Sequence, residues 1–263
     1  MDLGLRGKVA LVAASSQGLG KACALGLAEE GAKVAICSRR RDAIDAAARE
    51  ISDKTGAEVL ALVGDVRQAD ACERLVQHTV ERFGGLNILV NNAGGPPTGS
   101  AWQMSDEQWQ TAFGTNLMSA VHLTRAAVPH MKTAGSGRIV NITSSGVREV
   151  LPNLVLSNAI RSAVINFAKT LAVELAPDNI LVNSVAPGRL STERVAQLDE
   201  DNAKRWGVSL KEAAQRQLDM IPLGRYGEPE ELASVVVFLA SERASYVSGQ
   251  TILIDGAKAR SIF

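Results

Sequence analysis

Apolar residues come in short continuous runs, separated by longer stretches where they recur every three or four positions. The first run, residues 8–14 (KVALVAA), has no polar face, which is the pattern of a strand covered on both sides. Similar runs at 33–37, 59–63, 87–90, 138–142, 180–186 and 251–254 predict six further strands. The helical period predicts helices at 19–30 (ended by Gly31), 42–54 and 69–83, and a long amphipathic one at 106–131. Further helices are predicted from near Asn158 to 176, across the polar stretch 192–220, and at 228–240. Strands alternating with helices predict an α/β fold: a doubly wound parallel sheet of seven strands with helices on both faces and right-handed crossovers. In such sheets ligands bind beyond the carboxyl ends of the strands, where the strand order reverses. No Gly/Ser-rich, Pro-rich or charged linker and no repeat interrupts the chain, so residues 1–263 read as a single domain.

Composition narrows the function. At 46% hydrophobic residues the chain can bury a substantial core, and 28 basic against 28 acidic residues give no electrostatic case for nucleic acid. Trp102, Trp109 and the other aromatics are too scattered for a base-stacking surface. Cys23, Cys37 and Cys72, odd in number and set in apolar segments, read as reduced thiols of a cytoplasmic protein. There is no signal-like stretch and no run of about 18 apolar residues, so a soluble protein without a membrane partner is expected. His78, His122 and His130 fall on helices without ligand spacing, and no metal site is expected.

Several strand-to-helix turns carry candidate chemistry. After strand one, Ala13-Ala14 lead into Ser15, Ser16, Gln17, Gly18, Leu19 and Gly20. Glycines there let the backbone approach a pyrophosphate at a helix N-terminus; the alternative is a tight packing turn. Strand two ends in Ser38, Arg39 and Arg40 with no carboxylate. An acidic residue would bond an adenosine ribose and an arginine a 2′-phosphate, so NADP is favoured over NAD; a solvated helix start is the other reading. Basic residues are disfavoured at a helix N-terminus, which makes a functional use of Arg39 more attractive. Asp65 and Val66 end strand three, where an N-cap aspartate is also reasonable, and Asn91, Asn92, Ala93 and Gly94 follow strand four. Asn116 stands inside the long helix, where asparagine is mildly unfavourable. Strand 138–142 runs into Thr143, Ser144 and Ser145, and the following helix bears Ser157 and Arg161 four residues apart, on one face. Strand six closes with Pro187, Gly188, Arg189, Leu190, Ser191 and Thr192.

In this order, from about Arg6 to Gly256, these motifs resemble those of the short-chain dehydrogenase/reductase family, in particular its 3-oxoacyl-carrier-protein reductases. The resemblance implies a Rossmann-type sheet, a dinucleotide at the turn 15–20, Asp65 at the adenine, and Asn92 to Gly94 lining the cofactor. It also implies Pro187, Gly188, Leu190 and Thr192 near the nicotinamide, Asn116 holding a water in a proton relay, and Ser144 polarising a carbonyl. The chain departs from the family twice. Ala13 and Ala14 replace a Thr and a Gly, and alanine tolerates positive φ poorly. Ser157 and Arg161 occupy the places of the Tyr-x-x-x-Lys pair that supplies the proton.

Tyr226 and Tyr246 are the only tyrosines, and neither lies near that segment. Ser157 is a far weaker acid, and Arg161 keeps a positive charge in a different shape, able to fork onto ribose hydroxyls. Three readings follow: a reductase of a small carbonyl or acyl substrate using Ser144 and a Ser157–water relay or another acid; a silent NADP-binding sensor or partner subunit; or different chemistry on an acyl or hydroxy substrate. The polar stretch 192–220 lies where the family keeps a substrate-covering lid. Leu117, Met118, Val121, Leu123, Val164, Phe167 and Leu171 exceed what one packed face needs. With the resemblance this implies a homotetramer or dimer, and the tail to Phe263 offers a second interface.

Overall fold

The computed structural model describes residues 1–262; Phe263, the end of the tail considered as an interface, lies outside them. Seven parallel strands form one sheet in the order β3-β2-β1-β4-β5-β6-β7. They are β1 (Val9–Val12), β2 (Lys33–Ser38), β3 (Val59–Val63), β4 (Ile88–Asn91), β5 (Gly137–Ile142), β6 (Ile180–Pro187) and β7 (Thr251–Ile254). Every residue of β1, β4 and β6 is buried, whereas β3 and β7 at the edges are half-exposed. Successive residues of β1 face opposite cores. Ala10 and Val12 pack under α1 (Gly18–Glu29) and α2 (Arg41–Thr55), and Val9 and Leu11 pack under α3 (Ala69–Phe83). The order reverses between β1 and β4, and the cleft opens at the carboxyl ends beyond that point.

The stretch expected as one long helix is three segments: α4 (Asp106–Ala112), a π-helical segment Phe113–Met118, and α5 (Ser119–Thr133). Inside the π segment Asn116 donates its amide Nδ2 to the Gly94 carbonyl at 2.9 Å. The next helix, α6 (Val155–Glu174), begins three residues before the expected start, so Ser157 sits within its first turn. The polar stretch 192–220 divides into α7 (Glu193–Trp206) and α8 (Leu210–Leu218) because Gly207, at φ 65°, ends α7 in the left-handed conformation. The last helix, α9 (Pro229–Ala240), starts with a Glu228–Glu231 capping box and packs on α1.

Of the apolar residues counted as surplus, Leu123 and Val164 belong to the core, at 1% and 4% exposure, while the other five are half-buried. The three cysteines are free and buried, and burial raises the Cys23 and Cys72 thiols to about 12 and Cys37 to about 11. No helix among the described residues is long and apolar enough to cross a membrane. Nor does any group of three or more His, Cys, Asp or Glu among them form a possible metal site.

Candidate active site

One cleft of about 2300 Å³ collects the turns that follow β1 through β6. At its β1 end the backbone makes the bend that a glycine would normally make: Ala14 stands at φ 46° and Gly18 at φ 56°. The Ala14 carbonyl accepts a 3.1 Å bond from the Asn92 amide. A Cβ on Gly20 would lie 2.6 Å from that carbonyl oxygen and 2.7 Å from Asn92 Nδ2, so only glycine fits. Gln17, the N-cap of α1, makes no side-chain cap, and the first turn holds no acidic residue. The free N–H groups and the positive dipole end fit a phosphate group.

Ser15 does not share this role. Its hydroxyl donates to the Val12 carbonyl at 2.7 Å and accepts from the Cys37 N–H, and the residue is wholly buried away from the cleft. Gly20 likewise acts by packing and does not line the cleft. Ser16, Gln17, Gly18 and Leu19 do line it.

At the end of β2, Ser38 turns its hydroxyl onto the Arg40 carbonyl at 3.0 Å, and Arg39 and Arg40 border the cleft without an ion-pair partner among the described residues. Lys21 and Lys54 flank this wall, both paired with Glu50. Asp65 and Val66 border the cleft, but the Asp65 carboxylate is held by a bidentate Arg67, which keeps it below the usual carboxylate range. Asp65 also accepts the Arg67 N–H at 3.1 Å, so it shapes the turn as well as facing the cleft. Asn91 points into the sheet instead, bonding Asn141 at 2.9 Å and Thr124 at 3.2 Å, while Asn92, Ala93 and Gly94 border the cleft.

The other end of the cleft holds Ser144, Asn116, Ser157 and Arg161. Ser144 caps the short turn after β5, accepting from the Gly146 N–H at 3.2 Å. Asn116 presents a buried Oδ1 with no partner among the described residues. Ser157 is 7% exposed, and its hydroxyl has no hydrogen-bond partner among the described residues. Arg161 donates Nη1 to the Ile142 carbonyl at 2.8 Å and Nη2 to the Ala93 carbonyl at 3.3 Å. Burial, and then the charge of Arg194, bring its pKa down to about 10, so it remains a cation at neutral pH.

No histidine or tyrosine among the described residues lines the cleft. Tyr246 is fully exposed, and Tyr226 donates its phenol to Asp199 at 2.9 Å. Burial and that bond raise the Tyr226 pKa to about 12, which suits a structural donor and not an acid catalyst. Pro187, Gly188, Leu190 and Thr192 line the cleft, and Thr192 caps α7 through the Val195 N–H.

Three cations at this end were given no role by the motifs, although Arg189 lies within one of them. Arg189 is paired with Asp199 at 2.5 Å, Arg194 donates to the Pro96 carbonyl at 2.5 Å, and Lys258 has its pKa lowered by burial and by Arg189. Arg194 was detectable in the sequence by a sign related to that of Arg39, a basic residue at a helix N-terminus: Arg194 lies in the first turn of α7, and Arg39 just ahead of the N-cap of α2. Lys258 lies past the last strand and carries no local signal.

Residues 13–257 match the family model described as enoyl-(acyl carrier protein) reductase. The chain is 36% identical over 256 residues to dehydrogenase/reductase SDR family member 4 of Sus scrofa, covering 97% of this chain and 88% of that protein. It is also 36% identical over 252 residues to the 3-oxoacyl-[acyl-carrier-protein] reductase FabG of Thermotoga maritima, covering 96% and 98%. Among solved structures, L-sorbose reductase from Gluconobacter frateurii, complexed with NADPH and L-sorbose, superposes with a TM-score of 0.94 at 36% identity over 100% of both chains. A variant actinorhodin polyketide ketoreductase with NADPH superposes at 0.93 with 34% identity, covering 96% and 97%.

Proposed function

The chain belongs to the short-chain dehydrogenase/reductase family of oxidoreductases, and from that premise we propose that it is an NADP-dependent reductase of a small carbonyl or acyl substrate with a substituted proton-donor pair. The observation that carries the cofactor reading is the wall at the end of β2. Arg39 and Arg40 border the cleft unpaired there, and the nearby carboxylates of Asp65 and Glu50 are already held by Arg67 and by Lys21 and Lys54. The uncapped N-terminus of α1 supports the pyrophosphate position. The NADPH-bound neighbours at TM-scores of 0.94 and 0.93 support the same choice.

NADPH, when bound, supplies a hydride. Ser144 would polarise the substrate carbonyl by hydrogen bonding. Ser157 is too weak an acid to replace a tyrosine directly, and its free hydroxyl fits a relay from water instead. Arg161 would contribute a fixed charge and bonds to the cofactor ribose. A second reading, an NADP-binding sensor or partner subunit without turnover, is favoured by one observation: no tyrosine or histidine among the described residues reaches the cleft. We further propose a cytoplasmic homotetramer or dimer. Phe113 and Val173, at 45% and 71% exposure, lie on the helical stretches expected to pair.

Titration with NADPH and NADH tests the central reading. NADPH should bind tighter, and Arg39→Ala should weaken it by about tenfold or more, the worth of a charge-assisted bond, while leaving NADH nearly unchanged. Equal affinities in the wild type, unmoved by the substitution, would refute it.

A further inference from the structure

Arg161 is a buried cation without a counter-ion. It is 8% exposed, and the two groups that accept its hydrogen bonds, the carbonyls of Ile142 and Ala93, are neutral. No carboxylate forms an ion pair with it among the described residues. Isolated charges are rarely buried, because removing an ion from water costs several kcal/mol unless a partner replaces the water. The charge that acts on it is another cation, Arg194, which has no ion pair, feels Asp201 only without contact, and lines the same cleft. Lys258, half-buried, borders the cleft as well, with Glu149 and Asp255 as its acidic neighbours.

A cofactor ribose could take up spare N–H groups of Arg161 but would leave its charge unmatched. The pyrophosphate belongs at the α1 N-terminus, at the other end of the cleft. The anion that completes the site is therefore most economically part of the substrate. Guanidinium is shaped to grip carboxylates through paired N–H groups, and the unpartnered Ser157 hydroxyl, one helical turn away, adds a donor of the right kind.

We propose that the substrate is an oxo or hydroxy acid whose free carboxylate docks on Arg161 and Ser157. The inference rests on the reductase reading above and specifies its substrate class. In place of a proton-donating pair, the chain then has an anion-holding pair; Ser157 gives up the relay role, and water in the cleft beside Ser144 supplies the proton to the developing alkoxide. The carboxylate would fix the substrate while Ser144 addresses the carbonyl.

Calorimetric titration of the NADP⁺-loaded protein tests this, since the oxidised cofactor prevents reduction of the ketone. The probes are acetoacetate and 2-oxobutyrate, each against its methyl ester, with methyl phosphate as a further anion. Wild type should hold at least one acid about ten- to a hundredfold tighter than its ester, the worth of a charge-assisted contact. Arg161→Gln should bring the acid-to-ester ratio close to one. Arg161→Lys, which keeps the charge without the fork, should leave it intermediate. The wild-type and lysine measurements decide the matter if the glutamine variant does not fold. No preference for either acid, a ratio unmoved by Arg161→Gln, or tighter binding of methyl phosphate than of both acids would overturn the proposal. NADP⁺ affinity is measured separately. A chain that binds NADP⁺ but shows no acid preference loses this inference alone. A chain without NADP⁺ affinity loses the reductase reading, and the ratio is then read on the free protein.

Discussion

Arg189 and Arg161 both line the cleft and both are largely withdrawn from water, with 13% of the Arg189 side chain and 8% of Arg161 exposed. Around Arg189 the fold is complete. Asp199 meets it at 2.5 Å, Tyr226 donates to the other oxygen of that carboxylate at 2.9 Å, and the guanidinium lies 5.7 Å from the Tyr226 ring centre. This cluster ties α7 to the segment after β6. Around Arg161 the chain offers only two peptide carbonyls. One arginine is bound up in holding α7, and the other keeps its charge for something else. A buried arginine thus says little by itself; what the fold supplies as a partner separates a structural cation from one poised for a ligand.

The largest expected effect is at the unpaired site. If the scaffold is otherwise that of a reductase, Ser157→Tyr with Arg161→Lys should create or raise ketone reduction with NADPH, up to the roughly 10²–10⁴-fold typical of general acid help. Both changes are needed, because tyrosine without the lysine lacks its full pKa depression. A wild type that already reduces ketones faster than the double variant would show Ser157 and Arg161 to be a working pair of their own. Next comes the latch. Asp199→Ala leaves Arg189 buried and unpaired and strands the Tyr226 phenol, at a cost of about 3–5 kcal/mol in urea denaturation. Arg161→Met should cost less, about 1–3 kcal/mol, because no opposite charge is stranded and only the neutral carbonyls of Ile142 and Ala93 lose a donor. Equal losses for the two substitutions would erase the distinction between the sites.

The smallest effect is alkaline. The fold holds the Tyr226 proton up to about 12, against an ordinary value of 10, through burial and the bond to Asp199. The folded chain keeps that proton where the unfolded chain has lost it. The contribution is therefore complete below pH 10 and fades as pH rises toward 12. The stability advantage of wild type over Tyr226→Phe should shrink over that window, and a constant difference would remove Tyr226 from the latch.

The sheet was readable from the sequence because its central strands are buried on both faces, so β1, β4 and β6 show unbroken apolar runs. The cleft's turns were readable because their residues adjoin strand ends. What escaped depends on contacts distant along the chain. Asp199 and Tyr226 meet Arg189 only through the fold, and an absent partner for Arg161 leaves no mark in a sequence. Ser15 was misplaced for a related reason: its neighbours in the turn face the cleft, but its hydroxyl finds Val12 and Cys37 inside. The π segment around Asn116 continues a helical period, so the pattern did not reveal where the helix widens.

Ala14 has a bearing on how this protein can be altered. Its methyl group is held at φ 46°, a conformation that costs a non-glycine residue on the order of 1 kcal/mol. Ala14→Gly should relieve most of that strain, offset in part by the backbone freedom glycine adds to the unfolded chain, for a rise in melting temperature of no more than about 2 °C. A variant that starts from glycine there would have more headroom for mutations that unsettle the fold, such as a bulky tyrosine at Ser157. The bend beside the phosphate turn is thus a natural first position to change in any attempt to evolve or engineer the other end of the cleft.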